Sequence, residues 1–216
     1  MARRHGNHDE RMRLLIAQEA ARLMAGGVRD YGMAKRKAAA HLGAPDTRNL
    51  PSNTEVEAEL ASYQRLFHGQ RQQQGLRRMR EAALEAMRFF DRFQPRLAGS
   101  VLSGTAGPHS DVNLHLFAAA PEEVILHLID AEIPFEDGER RLRFERDNWE
   151  TFPTVRFLAG EVPIEAVIFP LTRQRQAPRS PLDGKPMTRA SRARVEALLE
   201  EAADAGAQAL CFTHRS

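Results

Sequence analysis

Apolar residues recur at helical spacing near both ends of the chain and alternate with polar residues through its middle. The helical spacing predicts five helices, over residues 8–25, 33–42, 53–67, 71–93 and 191–205. Gly26 and Gly27 are expected to end the first helix, and Ser52 or Asn53 to cap the third, because these residue types favour helix ends. The chain is therefore expected to be helical on both sides of a strand-rich centre.

The centre of the chain carries the pattern of strands. Between Asp111 and Leu116 polar and apolar residues alternate, which predicts a strand with Asp111 and Asn113 as neighbours on one face. Further strands are predicted over residues 95–102, 140–145, 154–158 and 162–169. The last two are separated by a hairpin-like turn at residues 159–161, and a helix is expected to begin at Pro121.

This order of elements predicts an α+β fold, in which helices cover one side of a mixed sheet and a helical region precedes it. We divide the chain into a helical N-terminal region, 1–70, a central domain, 71–172, and a proline-rich loop with a C-terminal helix, 173–216. A loop of this length suits either a plain linker or a lid over a ligand.

Gly99 and Ser100 form the first candidate for a binding turn, ten residues before Asp111. Glycine allows a backbone to approach a ligand closely, and such a turn presents N–H groups to a phosphate. The segment 103–110 adds Gly, Pro and small hydroxyl residues, a composition suited to a phosphate-binding loop and equally to any turn.

The Gly99-Ser100 turn, the ten-residue spacer and the strand Asp111-Val112-Asn113-Leu114 resemble the signature of the polymerase β-type nucleotidyltransferase superfamily, particularly its small bacterial members. The resemblance covers residues 75–172, and residues 27–67 resemble the front end of bacterial proteins that carry such a region. In that superfamily a Gly-Ser turn precedes an Asp-x-Asp pair, and a third acidic residue follows on a later strand. Glu165, in an apolar strand, is the best candidate for the third acidic residue.

The resemblance implies transfer of a nucleoside monophosphate from a nucleoside triphosphate to an unknown hydroxyl acceptor. Asp111 and Glu165 would be the catalytic carboxylates, and Asn113 would join them as a ligand of Mg²⁺. Two such ions would activate the attacking oxygen and support the leaving pyrophosphate, and hard cations prefer oxygen ligands. The resemblance further implies that Gly99, Ser100 and Ser103 hold the triphosphate.

Two of the implied metal ligands depart from the pattern of the superfamily. Asn113 stands where the second Asp is expected, and an amide oxygen offers a dipole instead of a full charge, so weaker Mg²⁺ binding is expected. Glu165 has an alternative role as the partner of an arginine, because a carboxylate in an apolar strand must be paired or neutralised. His109 and His115 are expected to be surface or hydrogen-bonded imidazoles and not metal ligands.

Two functions are therefore open. The first is an active Mg²⁺-dependent nucleotidyltransferase, favoured by the Gly-Ser turn, Asp111 and a third acidic residue. The second is a catalytically degenerate module that binds a nucleotide, RNA or protein, and it is favoured by Asn113.

Charge and composition bear on partners and location. Residues 1–50 hold ten basic and five acidic residues, whereas residues 95–172 hold six and thirteen. Basic flanks around an acidic centre suit RNA, with Lys35-Arg36-Lys37 as one contact, although the use of 28 Arg against three Lys also fits genome composition. A single cysteine, Cys211, and the lack of a long apolar run or secretory signal predict a cytoplasmic protein without membrane contact.

Overall fold

Helices dominate the first part of the chain. In the computed structural model, which describes residues 2–45, 49–145 and 148–213, α1 spans Ala2–Ala25, α2 spans Tyr31–His41 and α3 spans Asn53–Phe89. The chain forms two compact units, of which the first runs to Gln73 and takes in Gly107–His109 and Pro181–Gly184. The second unit holds the rest of the chain, and the three-segment division by sequence stays a prediction.

Local capping explains where these helices begin and end. Gly27, with a φ of 109°, ends α1 as predicted. The N–H of Val28 donates to the Leu23 carbonyl at 3.1 Å, which is the hydrogen bond between the sixth and the first residue of a Schellman motif. At the start of α3, Ser52 Oγ accepts from the N–H of Glu55 at 3.2 Å, while Glu55 Oε2 accepts from the N–H of Ser52 at 2.7 Å. Ser52 is therefore the N-cap, in a reciprocal capping box.

Helix α3 corrects one prediction. The sequence predicts two helices, 53–67 and 71–93, but a single helix runs through both segments. Five of residues 68–74 are glutamine or arginine, which are good helix formers, and no proline interrupts the segment. A short 3₁₀ turn, Asp91–Phe93, follows the end of α3.

The second unit is built on a six-stranded mixed sheet with the order β3-β4-β5-β2-β1-β6. Only β2 and β5 are parallel to each other, and the remaining pairs are antiparallel. The strands are β1 Arg96–Ala98, β2 Val112–Ala118, β3 Phe135–Arg143, β4 Trp149–Ala159, β5 Val162–Pro170 and β6 Arg189–Ala190. The predicted α+β class with a mixed sheet is confirmed.

Helices cover one face of this sheet. They are the end of α3, α4 (Ser100–Ser103), α5 (Pro121–Asp130) and α6 (Arg192–Thr213). The core between sheet and helices includes Met87, Phe90, Leu114, Val124, Leu128, Ile164 and Val195. Alternation along each strand turns the intervening residues to the opposite face, termed the open face, on which a second apolar cluster of Phe117, Phe144, Phe152, Val167 and Phe169 is buried beside the polar residues.

The two edges of the sheet differ in length and charge. Strand β3 forms one edge, and six of its nine residues are charged. Strand β6 forms the other edge and has only two residues. The short strand β1 corrects a prediction, because the expected strand over residues 95–102 ends at Ala98, where Gly99 turns the chain into α4.

Candidate functional site

The residues expected to bind metal lie on the open face of the sheet. Asn113 on β2 pairs in register with Glu165 on the parallel strand β5. Asp111 comes just before β2 and alternates with Asn113, and it contacts Arg156, which pairs in register with Glu165. The structure thus brings Asp111, Asn113 and Glu165 to the same face.

Arginine side chains neutralise both carboxylates. Arg140 on β3 donates through Nη1 to the Asn113 amide oxygen, at 2.8 Å, and also to Oε2 of Glu165. Arg156 on β4 donates through Nη2 to Oδ2 of Asp111, at 2.5 Å. The Asp111 side chain is only 9% exposed, so the guanidinium of Arg156 balances a largely desolvated charge.

This donor set does not fit a two-metal site. It offers two carboxylates and one amide, and each carboxylate already has a cationic partner. Within residues 2–45, 49–145 and 148–213, no three His, Cys, Asp or Glu side chains are grouped so as to hold a metal ion. The structure therefore agrees with the alternative reading of Glu165 as the ion-pair partner of an arginine.

The Gly-Ser turn has the backbone of a close-approach site. Gly99 adopts a φ of 77° and a ψ of −157°, and a Cβ there would lie 3.3 Å from Nδ2 of Asn113. The N–H groups of Ser100 and Val101 have no backbone acceptor among the described residues, as is usual in the first turn of a helix. The N–H groups of Ser100 and Val101 are donors that a phosphate could use, and the nucleotide-binding role of Gly99 and Ser100 stays a prediction.

Ser103, the third residue expected to hold the triphosphate, has its hydroxyl engaged locally. Its Oγ donates to the Ser100 carbonyl at 3.3 Å and lies 2.9 Å from Oγ1 of Thr105. The hydroxyl of Ser103 therefore stabilises the end of α4 in this structure, and its binding role stays a prediction.

His115 is buried on the same face, two residues after Asn113. It is 3% exposed, its ring centroid lies 4.9 Å from that of Phe169, and its Nδ1 is buried without a hydrogen-bond partner. Burial, together with the positive charges of Arg189 and Arg140, lowers the pKa of His115 to about 3. The imidazole is therefore neutral at pH 7.

Two further arginines flank His115. Arg96 pairs in register with His115 across β1 and β2, and Arg189 on β6 pairs with Ala98. Nη1 of Arg96 donates to the Pro95 carbonyl at 3.2 Å. Among the described residues neither arginine forms a salt bridge, so this end of the open face carries unbalanced positive charge.

The basic cluster proposed to contact RNA belongs to the first unit. Lys35 Nζ donates to Oδ1 of Asn53 at 2.8 Å and to the Pro51 carbonyl at 3.1 Å, which fixes it to the start of α3. Arg36 and Lys37 remain exposed. Only these two members of the cluster are therefore available to a phosphate backbone.

The arginines of the open face were not identified from the sequence. The sequence carries a signal for Arg156, because Thr154 and Arg156 alternate with the apolar Val155 and Phe157. For Arg96, Arg140 and Arg189 the sequence offers no comparable signal, since their strands are short or charged throughout. They became recognisable only once the strand order was known.

None of the helices in the described parts of the chain has a stretch long and apolar enough to cross a bilayer. The candidate site of this chain combines two arginine-paired carboxylates on the open face of a mixed sheet with a neighbouring Gly-Ser turn. No protein-family model, curated protein or solved structure matches the chain.

Proposed function

We propose that this chain is a nucleotidyltransferase-like protein that binds a nucleoside triphosphate on the open face of its sheet without metal-dependent transfer. The observation that carries the proposal is the bridging of Asn113 and Glu165 by Arg140. A guanidinium at this place supplies the positive charge that the superfamily obtains from Mg²⁺, and it attracts phosphate oxygens by the same electrostatics.

The arginines keep nitrogen atoms for a ligand. Arg140 uses only Nη1 and Arg156 only Nη2 in the hydrogen bonds seen among the described residues, although a guanidinium has five N–H donors. Their side chains are 40% and 47% exposed. Phosphate oxygens can therefore bind to the outer edges of both arginines while the carboxylates remain paired.

The Gly-Ser turn supports the same ligand. Gly99 lies against Asn113, and the first N–H groups of α4 lack backbone acceptors. A triphosphate needs donors at several positions, and the open face and this turn supply guanidinium and backbone N–H groups next to each other. A nucleotide ligand also suits the cytoplasmic location expected from the sequence.

A second candidate, the Mg²⁺-dependent transferase, is favoured by one observation. Asp111, Asn113 and Glu165 do lie on one face, with Asn113 and Glu165 directly paired. The two candidates differ in whether a divalent cation is needed for binding and whether product forms.

Thermal unfolding with the four nucleoside triphosphates, with Mg²⁺ or with a chelator, tests the proposal. We expect at least one triphosphate to raise Tm by a few degrees in the chelator, because a ligand bound only to the folded state stabilises it by mass action. Arg140→Gln and Arg156→Gln should each reduce that shift. Arg141→Gln is the matched control, since Arg141 is exposed and follows Arg140 on the opposite face of β3.

A transfer assay with labelled triphosphate completes the test. No labelled product is expected from the wild type with Mg²⁺ or Mn²⁺. Stabilisation that requires Mg²⁺, together with labelled product, would instead establish the second candidate. A Tm that no triphosphate changes under either condition would reject both.

A further inference from the structure

The end of the open face formed by β6, β1 and β2 carries two arginines without a counter-charge. Arg189 pairs with Ala98, which lies two residues after Arg96 on β1, so the two arginines lie on the same face. Burial, and to a smaller degree the charge of Arg96, lowers the pKa of Arg189. Each of the two guanidinium groups has a backbone carbonyl as its hydrogen-bond acceptor in the structure. Two such positive charges on neighbouring strands favour an anion between them.

Two buried polar atoms at this place have no hydrogen-bond partner. They are Nδ1 of His115 and Nη1 of Arg189, the only such side-chain atoms in the described part of the chain. Buried polar groups in folded proteins nearly always have a hydrogen-bond partner, and a buried group without one lowers the stability of the fold. The two orphaned atoms therefore indicate that a polar group from outside the chain completes this cluster.

The surroundings hold the orphaned groups in position. The guanidinium of Arg189 lies 5.5 Å above the ring of Phe117, and its Nη2 donates to the Gln174 carbonyl at 2.8 Å. The ring of His115 packs against that of Phe169, with the ring centroids 4.9 Å apart.

We propose that Arg96, Arg189 and His115 form a binding site for a phosphoryl group, beside the Asp111–Asn113–Glu165 cluster and separate from it. The two guanidinium groups donate to phosphoryl oxygens, and the unpartnered Nδ1 of His115 contributes one hydrogen bond. Two positive charges match a phosphate monoester, which carries about −1.5 to −2 at pH 7, better than a carboxylate, which carries one negative charge. The ligand is inorganic phosphate or the phosphate monoester of a larger molecule.

Calorimetric titration of the full chain with inorganic phosphate, ribose 5-phosphate and acetate tests this site. We expect saturable binding of phosphate or of the sugar phosphate, and much weaker binding of acetate. Tighter binding of ribose 5-phosphate identifies a monoester as the ligand, and equal or tighter binding of inorganic phosphate identifies the free ion.

Arg96→Gln and Arg189→Gln should each weaken phosphoryl binding about tenfold or more, because each removes charge-assisted hydrogen bonds. His115→Leu should weaken it several-fold. Arg141→Gln, which removes the same charge from an exposed position beside Trp149, should change it less than about twofold at 0.15 M salt. If Arg189→Gln fails to fold by circular dichroism, Arg96→Gln on the adjacent strand carries the test.

Absence of saturable phosphoryl binding, acetate binding as tight as phosphate, or equal losses in Arg141→Gln and Arg189→Gln would each overturn the assignment. The inference does not rest on nucleotide binding. A protein that binds phosphate through Arg96 and Arg189 but gives no Tm shift with any triphosphate contradicts only the proposed function. A protein whose Tm rises with a triphosphate but which does not bind phosphate through Arg96 and Arg189 contradicts only this site.

Discussion

Asn113 and Glu165 occupy paired positions on two parallel strands, and one nitrogen of Arg140 donates to both. The chain thus places a cation of its own between the Asn113 amide and the Glu165 carboxylate. Arg140 comes from β3, two strands away from β5 in the sheet order, so strand order and side-chain length together set this contact.

The first prediction concerns metal affinity. Asn113→Asp adds a full negative charge beside Glu165, and attraction to a cation at ~4 Å is worth a few kcal/mol at an effective dielectric near 20. We expect little Mn²⁺ binding by the wild type or by Asn113→Asp alone, because Arg140 competes for the carboxylates. The double variant Asn113→Asp with Arg140→Gln should bind Mn²⁺ at least about tenfold more tightly than either single variant, measured by calorimetry.

Asp111→Ala in the double-variant background is the control for this titration and should abolish the added binding. Equal Mn²⁺ heats for the wild type, the two single variants and the double variant would mean that these side chains cannot form a metal site even without Arg140.

The second prediction concerns the Gly-Ser turn. Gly99→Ala should lower the free energy of unfolding by about 1–3 kcal/mol, because a side chain at a φ of 77° and a ψ of −157° is strained. Urea unfolding measures the change.

Gly75→Ala is the matched control for Gly99→Ala. Gly75 lies inside α3, and a Cβ there meets nothing within 4 Å. The substitution should raise stability by about 0.5–1 kcal/mol, since alanine is the better helix former. Equal effects of the two substitutions would contradict the argument from backbone conformation.

The third prediction concerns His115. Replacing it with leucine removes a buried imidazole whose Nδ1 has no partner, in contact with Phe169. We expect His115→Leu to raise the free energy of unfolding of the ligand-free protein by about 1 kcal/mol. Urea unfolding in a buffer without phosphate checks this, with His115→Gln as the polar comparison. A loss of stability in His115→Leu but not in His115→Gln would show that the imidazole of His115 has a hydrogen-bond partner in solution.

The fourth prediction concerns pH. The Arg22 guanidinium, which donates to Glu19 at 2.7 Å, lowers the pKa of that carboxyl to about 2, with a smaller contribution from His41. A carboxyl whose pKa is lower in the folded state stabilises the fold above its unfolded pKa. That stability is lost as pH falls from 4.5 towards 2.

The measurement compares wild type and Glu19→Gln by urea unfolding at several pH values. Near pH 6 the wild type should be more stable by about 1 kcal/mol, after allowance for solvent screening of an ion pair whose Arg22 side chain is 55% exposed. The difference should shrink towards pH 2. A difference independent of pH would show that Glu19 acts through packing and not through its charge.

The length of the turn between β4 and β5 is enough to predict one pair of residues in the site. The turn at residues 159–161 was expected, and its two-residue loop pairs Ala159 with Val162. That register alone places Arg156 opposite Glu165. The ion-pair role of Glu165 was likewise one of the two alternatives read from its position in an apolar strand.

The rest of the site depends on contacts between distant segments. The parallel pairing of Asn113 with Glu165 joins strands separated by α5, β3 and β4, and no local pattern fixes its register. The approach of Arg140 depends on that register. Roles of Gly99, Ser100 and Ser103 in binding stay predictions, because a turn's geometry names no ligand.

The edges of the sheet bear on self-association. An exposed edge strand offers unpaired N–H and C=O groups to any other chain, and long apolar edges promote aggregation. Here β3 carries charges of both signs at most positions, and β6 is too short to template a partner strand. Extension of the sheet into a second copy of the chain is therefore disfavoured at both ends, and any oligomer would have to form through another surface.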